Sequence, residues 1–164
     1  MKNFKIIPCL TLAFFFVLPA ASMAGETVYY LFRHAEKLAD NPDPGLTEEG
    51  LARAENLAAM LKTAGVTRIF SSDYKRTRDT AGPLSEATGI EIEIYDPRNL
   101  PGFAEQLKEM DGVIIISGHS NTTPELTALL SGYETEPMEE TEYDRLYMVT
   151  FFEGSIRLNT IKQD

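Results

Sequence analysis

Both histidines of the 164-residue chain directly follow an apolar run. His34 comes after "TVYYLFR", which ends in Arg33, and His119 comes after "GVIIISG". Arginine and histidine are costly to bury in a core, and both can bind an anion. A lone histidine often has a plain structural role, but two in this same context indicate a site that holds an anion and can offer an imidazole nitrogen for chemistry.

The elements that must position these residues are strands and helices in almost strict alternation. Strands are expected at 27–33, 66–71, 90–95 and 112–118, where β-branched and aromatic residues lie between turn-forming residues. The chain closes with "YDRLYMVTFFEGSIRLNTI", which is typical of a hairpin of two more strands. Alternating β and α units predict one α/β domain with a largely parallel sheet, to which the hairpin adds an antiparallel strand.

Helices are expected between the strands, at about 48–62, 75–88 and 102–110, and a fourth with Pro124 in its first turn. Thr47 can cap the first helix. The third strand alternates strictly between apolar and polar residues, so we expect it near a sheet edge. The apolar face of the first helix is predicted from residues three and four positions apart: Leu51, Ala54, Ala58 and Leu61.

Polar residues stand at the predicted carboxyl ends of three strands. Arg33 and His34 end the first strand, Ser71 and Ser72 end the second, and residues 118–120 (Gly-His-Ser) end the fourth. In open α/β sheets, ligands bind beyond the carboxyl ends of the strands. These residues are therefore expected to meet at one rim of the sheet.

Three motifs along this rim carry a resemblance to a known family. "FRHAEK" at 32–37, "SSDYKRTRDTA" at 71–81 and "SGHSNT" at 117–122 stand in the order and spacing of the histidine phosphatases, also called the phosphoglycerate mutase-like superfamily. The ordered triple is far more specific than one Arg-His pair, and the resemblance covers essentially all of residues 25–164. It implies a histidine phosphatase domain: a three-layer α/β/α sandwich with a mostly parallel mixed sheet of about six strands and a C-terminal hairpin.

The resemblance also implies roles for four residues. It makes His34 the nucleophile that becomes phosphohistidine, and it places Arg33, Arg76 and His119 around the phosphoryl oxygens. Phosphoryl transfer needs an in-line nucleophile and positive donors on the equatorial oxygens, and arginine can bind two oxygens at once. His34 must present an unprotonated ring nitrogen, so we expect a backbone carbonyl to hold its other N–H. His119 is expected to act as a donor, with its charge left open.

The neighbouring residues have weaker signals. Ser120 stands where a helix begins, so it can contact the anion or merely cap the helix. Arg78 is turned by about 200° from Arg76 around a helix, and we expect it to face solvent. The acidic segment "ETEPMEETEYD" at 134–144 is interpreted as a solvated loop rather than a metal site, since no histidine accompanies it. We therefore expect neither a metal nor another cofactor.

The acid that protonates the leaving group is not evident. The phytase-like branch of the family carries an Asp straight after the second histidine, where this chain has Ser120. The mutase-like branch carries a Glu in a loop after the second arginine, and the matching "YDPRNLPGFAEQ" has no clear equivalent. Asp96 and Glu105 are candidates. Asp96 is better placed, at a strand's carboxyl end, although it suits a turn before Pro97 equally well.

The first 24 residues are typical of a signal peptide. Lys2 and Lys5 precede an apolar run at 6–18, and small residues lead to expected cleavage after Ala24, which predicts a periplasmic or secreted protein. The run is shorter than the roughly 20 residues of a membrane span, so no stable membrane insertion is expected after cleavage. The single cysteine, Cys9, lies in this segment, which excludes disulfide and thiolate chemistry in the remainder.

The charge of the chain restricts its partners. The formal net charge is −10, or −12 without Lys2 and Lys5. A protein this acidic is a poor nucleic-acid binder, and a local cluster of positive groups must hold any anion against the overall field.

These observations predict a metal-independent, exported phosphatase that acts on a small-molecule or surface-linked phosphomonoester through phosphohistidine at His34. Three alternatives stay open: a protein phosphohistidine phosphatase-like activity, since its substrate needs no leaving-group acid; a non-catalytic phosphate or phosphosugar binding module; and a metal-dependent hydrolase. A mutase is disfavoured, because it needs a phosphorylated glycolytic cofactor that is absent outside the cytoplasm.

Overall fold

The computed structural model describes residues 25–39 and 42–163, so the expected signal peptide lies outside the described residues. None of the helices in these ranges has the length and apolar character that crossing a membrane requires. The elements in chain order are β1 (Thr27–Arg33), α1 (Glu48–Leu61), β2 (Val66–Ser72), α2 (Lys75–Thr88), β3 (Ile92–Tyr95), α3 (Leu100–Lys108), β4 (Val113–Gly118), α4 (Thr122–Ser131), β5 (Arg145–Phe152) and β6 (Ser155–Lys162).

The six strands form one mixed sheet in the order β3-β2-β4-β1-β5-β6. The first four strands of that order are parallel, whereas β5 pairs antiparallel with β1 and β6 pairs antiparallel with β5. The predicted α/β class, the largely parallel sheet and the C-terminal hairpin are thus confirmed. The third strand lies at the sheet edge, as its alternating pattern predicted.

Two helices pack on each face of the sheet. One core contains Leu57, Ala58 and Leu61 of α1 with Ala81 and Leu84 of α2, which pack on apolar residues of the strands. The other core contains apolar residues of α3 and α4 on the opposite face, among them Leu100, Phe103, Leu107, Leu126 and Leu130. This arrangement is the predicted three-layer α/β/α sandwich.

Local capping shifts one helix from its predicted range. α3 begins at Leu100 rather than near residue 102, because the side chain of Asn99 accepts a hydrogen bond from the backbone N–H of Gly102. Pro101 lies in the first turn, where its missing N–H costs nothing.

The predicted apolar face of α1 is wrong at one position. Leu51 is 51% exposed, whereas Ala54, Ala58 and Leu61 are buried as expected and Leu57 joins them. The first turn of α1 packs through Gly50, whose Cα lies against the backbone of Glu36. Leu51, one position on, is left at the margin of the contact.

Gly50 provides a test of this contact. A methyl group at this position would overlap the carbonyl oxygen of Glu36, so we expect Gly50→Ala to lower the free energy of unfolding by about 1–3 kcal/mol. At Gly82 of α2 a methyl group would enter open space, so the matched Gly82→Ala should change the free energy of unfolding by less than about 1 kcal/mol. Urea unfolding of both variants measures the difference, and equal values would contradict the close packing at Gly50.

Candidate active site

The parallel strands bring the polar residues of the three motifs to one edge of the sheet. In the strand register, Arg33 lies beside Gly118, and Ser71 lies beside Ser117. A cavity of about 390 Å³ opens at this edge. It is lined by Arg33, His34, Lys37, Tyr74, Arg76, Pro97, Arg98, His119, Ser120, Asn121, Thr122 and Glu140.

Backbone contacts hold His34 firmly at the end of β1. Its backbone N–H donates to the carbonyl of Gly118, and the next backbone N–H, of Ala35, donates to Oγ1 of Thr80 in α2, at 2.9 Å in each case. The ring nitrogen Nδ1 of His34 lies 2.8 Å from the carbonyl oxygen of Ala35. A carbonyl only accepts hydrogen bonds, so Nδ1 carries the proton and Nε2 keeps its lone pair. This is the tautomer that a nucleophile requires.

The second imidazole lies against the first. The ring centroids of His34 and His119 are 5.6 Å apart. Nε2 of His119 lies 2.9 Å from the hydroxyl of Ser72, which donates to Oγ1 of Thr77, and Nδ1 of His119 lies 3.4 Å from a guanidinium nitrogen of Arg76. Because the guanidinium can only donate, Nδ1 accepts and Nε2–H donates to Ser72. The sequence placed both rings and Ser72 at one rim, but it did not indicate that Ser72 orients the second ring.

Both histidines are neutral at neutral pH. Burial, with smaller contributions from Arg33, Arg76 and His119, lowers the pKa of His34 from 6.5 to about 4, although the hydrogen bond to Ala35 opposes the shift. Burial and the same two arginines lower the pKa of His119 to about 4 as well. The charge of His119 that the sequence left open is thus absent from the anion-free site.

Arg33 is buried and held by the acidic segment. Its Nη1 lies 2.9–3.1 Å from the backbone carbonyls of Glu139, Glu140 and Glu142, and its guanidinium stacks on the ring of Tyr143 at 4.3 Å. Its Nε is buried without a hydrogen-bond partner among the described residues. A buried unpaired donor is costly, and an oxygen of a bound anion would satisfy it.

Arg76 mirrors this arrangement from the first turn of α2. Its guanidinium stacks on the ring of Tyr74 at 4.5 Å, and its buried Nε has no partner in the described part of the chain. One Nη of Arg76 lies 3.9 Å from a carboxylate oxygen of Asp43. Arg78 faces away from the cavity and pairs with Asp73, as expected from its position on the helix.

Ser120, which was expected to contact the anion or to cap α4, has a different partner. The hydroxyl of Ser120 donates to a carboxylate oxygen of Glu140 at 3.1 Å, and Ser120 lines the cavity. Oγ1 of Thr122 accepts from the backbone N–H of His119 at 3.0 Å. Ser120 therefore does not cap the helix, and contact of its hydroxyl with an anion stays a prediction.

The geometry argues against Asp96 as leaving-group acid. Its carboxylate accepts hydrogen bonds from the side chain and backbone N–H of Arg98, and this pairing lowers its pKa. It is not among the described residues that line the cavity with His34. A carboxylic acid that protonates a leaving group needs a raised pKa and a place beside the substrate, and Asp96 has neither.

Several residues of the site carry no sequence signal that we recognised. The rings of Tyr74 and Tyr143 stack on the guanidinium groups of Arg76 and Arg33. Glu140 of the 134–144 segment lines the cavity, although the composition of that segment indicated only a solvated loop. An aromatic residue inside an acidic run was the available hint. Within residues 25–39 and 42–163, no three His, Cys, Asp or Glu side chains cluster as metal ligands would.

The lowered pKa values predict an unusual titration. The two imidazoles of the folded protein should titrate near pH 4, and those of the urea-unfolded chain near 6.5. As pH falls from 6.5 towards 4, the unfolded chain binds protons that the folded chain does not, so stability should fall in this window. Proton NMR of the ring resonances, assigned with His119→Asn, measures both values. Midpoints near 6.5 in the folded protein would contradict the burial of these rings.

The fold and the site together define an α/β protein with a cavity for a tetrahedral oxyanion. The cavity is lined by two imidazoles, the guanidinium groups of Arg33 and Arg76, Lys37 and Arg98. This local cluster of basic residues stands in a chain whose formal net charge is −10. An unprotonated histidine nitrogen stands beside these donors, and such a set suits transfer of a phosphoryl group.

The comparison with known sequences agrees with this class. A sequence model of the histidine phosphatase superfamily (branch 1) matches residues 25–112. The chain belongs to this superfamily. The match ends before His119, so it does not cover the second histidine.

Curated relatives share part of their length with this chain. A probable phosphoglycerate mutase GpmB of Enterobacter sp. (strain 638) is 31% identical over 122 residues, which are 74% of this chain and 50% of the relative. The GpmB of Yersinia pestis (strain Pestoides F) is 36% identical over 74 residues, 45% of this chain and 33% of the relative. The chain thus spans half or less of the length of these relatives.

Solved structures share the fold over most of this chain. The protein histidine phosphatase SixA complexed with tungstate has a TM-score of 0.69 at 20% identity, and the match covers 83% of this chain and 97% of SixA. The mycobacterial glucosyl-3-phosphoglycerate phosphatase has a TM-score of 0.70 at 16% identity, with 85% of this chain and all of the other chain covered. At this identity the likeness shows the fold.

Proposed function

We propose that this protein is a phosphatase that hydrolyses a phosphomonoester through a phosphohistidine intermediate on His34, without a metal. The observation that carries the proposal is the tautomer of His34: its Nδ1 is held by the carbonyl of Ala35, and its Nε2 is free in a cavity with Arg33 and Arg76. The superfamily and the phosphatases among the structural neighbours support the same activity.

The reaction would proceed in two displacements. In the first, the Nε2 lone pair of His34 attacks phosphorus, the bond from phosphorus to the leaving oxygen breaks, and that oxygen takes a proton from solvent. In the second, water attacks phosphorus, the N–P electron pair returns to Nε2, and inorganic phosphate leaves. Arg33 and Arg76 stabilise the charge on the equatorial oxygens in both displacements.

His119, which is neutral in the anion-free site, becomes a charged hydrogen-bond donor when the anion binds. Its Nε2–H is occupied by Ser72, and its Nδ1 lone pair lies on the side of Arg76. A phosphoryl dianion raises the pKa of a nearby imidazole, so that Nδ1 takes up a proton and donates it in a hydrogen bond. His119 would then add a third positive donor only while substrate is bound.

The compartment and the substrate class extend the proposal. The signal-peptide pattern of residues 1–24 supports export to the periplasm or beyond, where a small-molecule or surface-linked phosphomonoester would be the substrate. The cavity is open enough for a leaving group, and Lys37 in its lining favours a substrate with further negative charge. The mutase activity in the names of the curated relatives belongs to proteins at least twice as long as the matched part.

Phosphoenzyme trapping tests the proposal directly. The mature protein is incubated with an aryl phosphate carrying a labelled phosphoryl group and then denatured. We expect label that is stable in alkali, labile in acid and unaffected by excess chelator. Tight, reversible phosphate binding without label or turnover would support a non-catalytic binding module, and loss of activity in chelator would support a metal-dependent hydrolase.

A protein phosphohistidine phosphatase is the second candidate. The observation that favours it is the state of Asp96, which is paired with Arg98 and has a lowered pKa, so it is unsuited to protonate an alkoxide. A phosphoramidate leaves more easily than a sugar alkoxide. Competition between a phosphohistidine peptide and a panel of sugar phosphates for the mature protein separates the two: the substrate with the higher kcat/KM identifies the class.

A further inference from the structure

The acidic segment brings one carboxylate to the cavity. Glu140 is the only Asp or Glu among the described residues that line the cavity with His34. One of its oxygens accepts from the hydroxyl of Ser120 at 3.1 Å, and the other lies 3.1 Å from Nη2 of Arg33. The carboxylate is thus placed between a residue expected to touch the phosphoryl group and one at the cavity wall.

The contacts of Glu140 are not needed to hold the fold. Its side chain is 81% exposed, and an exposed ion pair contributes little to stability. Arg33 is already fixed through Nη1, which contacts three backbone carbonyls, and through its stacking on Tyr143. These contacts hold Arg33 without the carboxylate of Glu140, so the carboxylate is not required to position it.

The other carboxylates near the cavity are differently placed. Asp96 is paired with Arg98, and Glu36 accepts three hydrogen bonds from Arg53; neither lines the cavity. Asp43 approaches Arg76 from outside that lining. Among these described groups, Glu140 alone lines the cavity.

We propose that Glu140 is the general base that activates water for hydrolysis of the phosphohistidine. The inference rests on the proposed function, since it concerns the second displacement of that reaction. The water oxygen forms a bond to phosphorus, the N–P bond breaks with its electron pair returning to Nε2 of His34, and the water proton passes to the carboxylate of Glu140. Release of inorganic phosphate and loss of that proton to solvent restore the site.

The charge state of Glu140 suits this role. Its hydrogen bond from Ser120 and the nearby Arg33 lower its pKa, so it is ionised at neutral pH. An ionised carboxylate accepts a proton but cannot give one to a leaving alkoxide, which fits the second displacement and not the first. The contacts with Ser120 and Arg33 also hold the carboxylate of Glu140 in place while it stays ionised.

The test separates the two displacements in the full mature chain. With an aryl phosphate, rapid mixing measures the burst of released phenolate, and quenching measures the label on the protein. For Glu140→Gln we expect an almost unchanged burst rate and dephosphorylation slower by about 100-fold or more, so that label accumulates. Its steady-state rate should no longer depend on the leaving group, because every substrate yields the same phosphoenzyme.

The matched control is Glu134→Gln, which removes the same charge from an exposed position of the same segment outside this cavity. It should retain both rates of the wild type. Dephosphorylation of Glu140→Gln at the wild-type rate would overturn the inference, as would an equal loss in both displacements. Tighter binding of inorganic phosphate with both rates unchanged would instead make Glu140 a competitor of the phosphoryl group. Absence of label in wild type and control alike would overturn the proposed function itself.

Discussion

Replacement of His34 by alanine should reduce turnover of an aryl phosphate by about 10⁴-fold or more and abolish the acid-labile label. The effect is large because Nε2 of His34 is the nucleophile of the first displacement, without which no phosphoenzyme forms. The orientation of its ring depends on the contact between Nδ1 and the carbonyl of Ala35. Burst and steady-state kinetics, together with label per chain, measure the result.

His119→Ala is the informative control for this variant. Its nucleophile is intact, so label should still form, but more slowly, because one donor to the phosphoryl group is lost. The two rings lie 5.6 Å apart in the same cavity, so general disturbance of the site should be similar in both variants. Equal label in wild type and His34→Ala would show that another residue carries the phosphoryl group and would contradict the role of His34 as the nucleophile.

The second large effect is expected from Arg76. Arg76→Ala should lower kcat/KM by about 10²–10³-fold, because a preorganised donor to the transition-state charge is lost. Its guanidinium is mostly buried, contacts His119 and has an unpartnered Nε among the residues that the structure describes. Steady-state kinetics with aryl phosphates of different leaving groups, and the inhibition constant of tungstate, measure the loss.

Arg78→Ala serves as the matched control, since Arg78 is two residues away on the same helix and pairs with Asp73 outside the cavity. Its kcat/KM should stay within about threefold of the wild type. Equal losses in the two variants would mean that the overall positive charge of the helix, and not the geometry of Arg76, supports the reaction. Thermal unfolding of both variants shows whether either change acts through stability.

Much of the fold could be predicted, because strands and helices here carry strong local patterns. β1 and β4 are nearly continuous apolar runs bounded by turn residues, and α2 ends at Gly89, which adopts a left-handed conformation. The expectation for α1 was wrong where tertiary packing, and not the spacing of apolar residues, determines which side chain is buried. Leu51 has the spacing of a core residue, but the close contact of Gly50 with the backbone of Glu36 leaves it exposed.

Some residues of the candidate site could be placed from the sequence, and others could not. Arg33, His34 and His119 could be placed at one rim because parallel strands align their carboxyl ends. Arg76 was singled out by the resemblance to the histidine phosphatases. Glu140 could not be placed, since it lies more than 100 residues after Arg33 in the chain and meets it only where the 134–144 segment folds back over β1.

From its sequence alone, the chain determines an alternating α/β domain of the histidine phosphatase superfamily, with His34 and His119 at the ends of neighbouring strands and Arg33 and Arg76 expected beside them. Only the tertiary structure decided which ring nitrogen is free, which tyrosines support the arginines, that Asp96 is paired away from the cavity and that Glu140 reaches it. The physical reason is that strand and helix patterns are local, whereas tautomers, ion pairs and burial depend on groups that are distant in the chain.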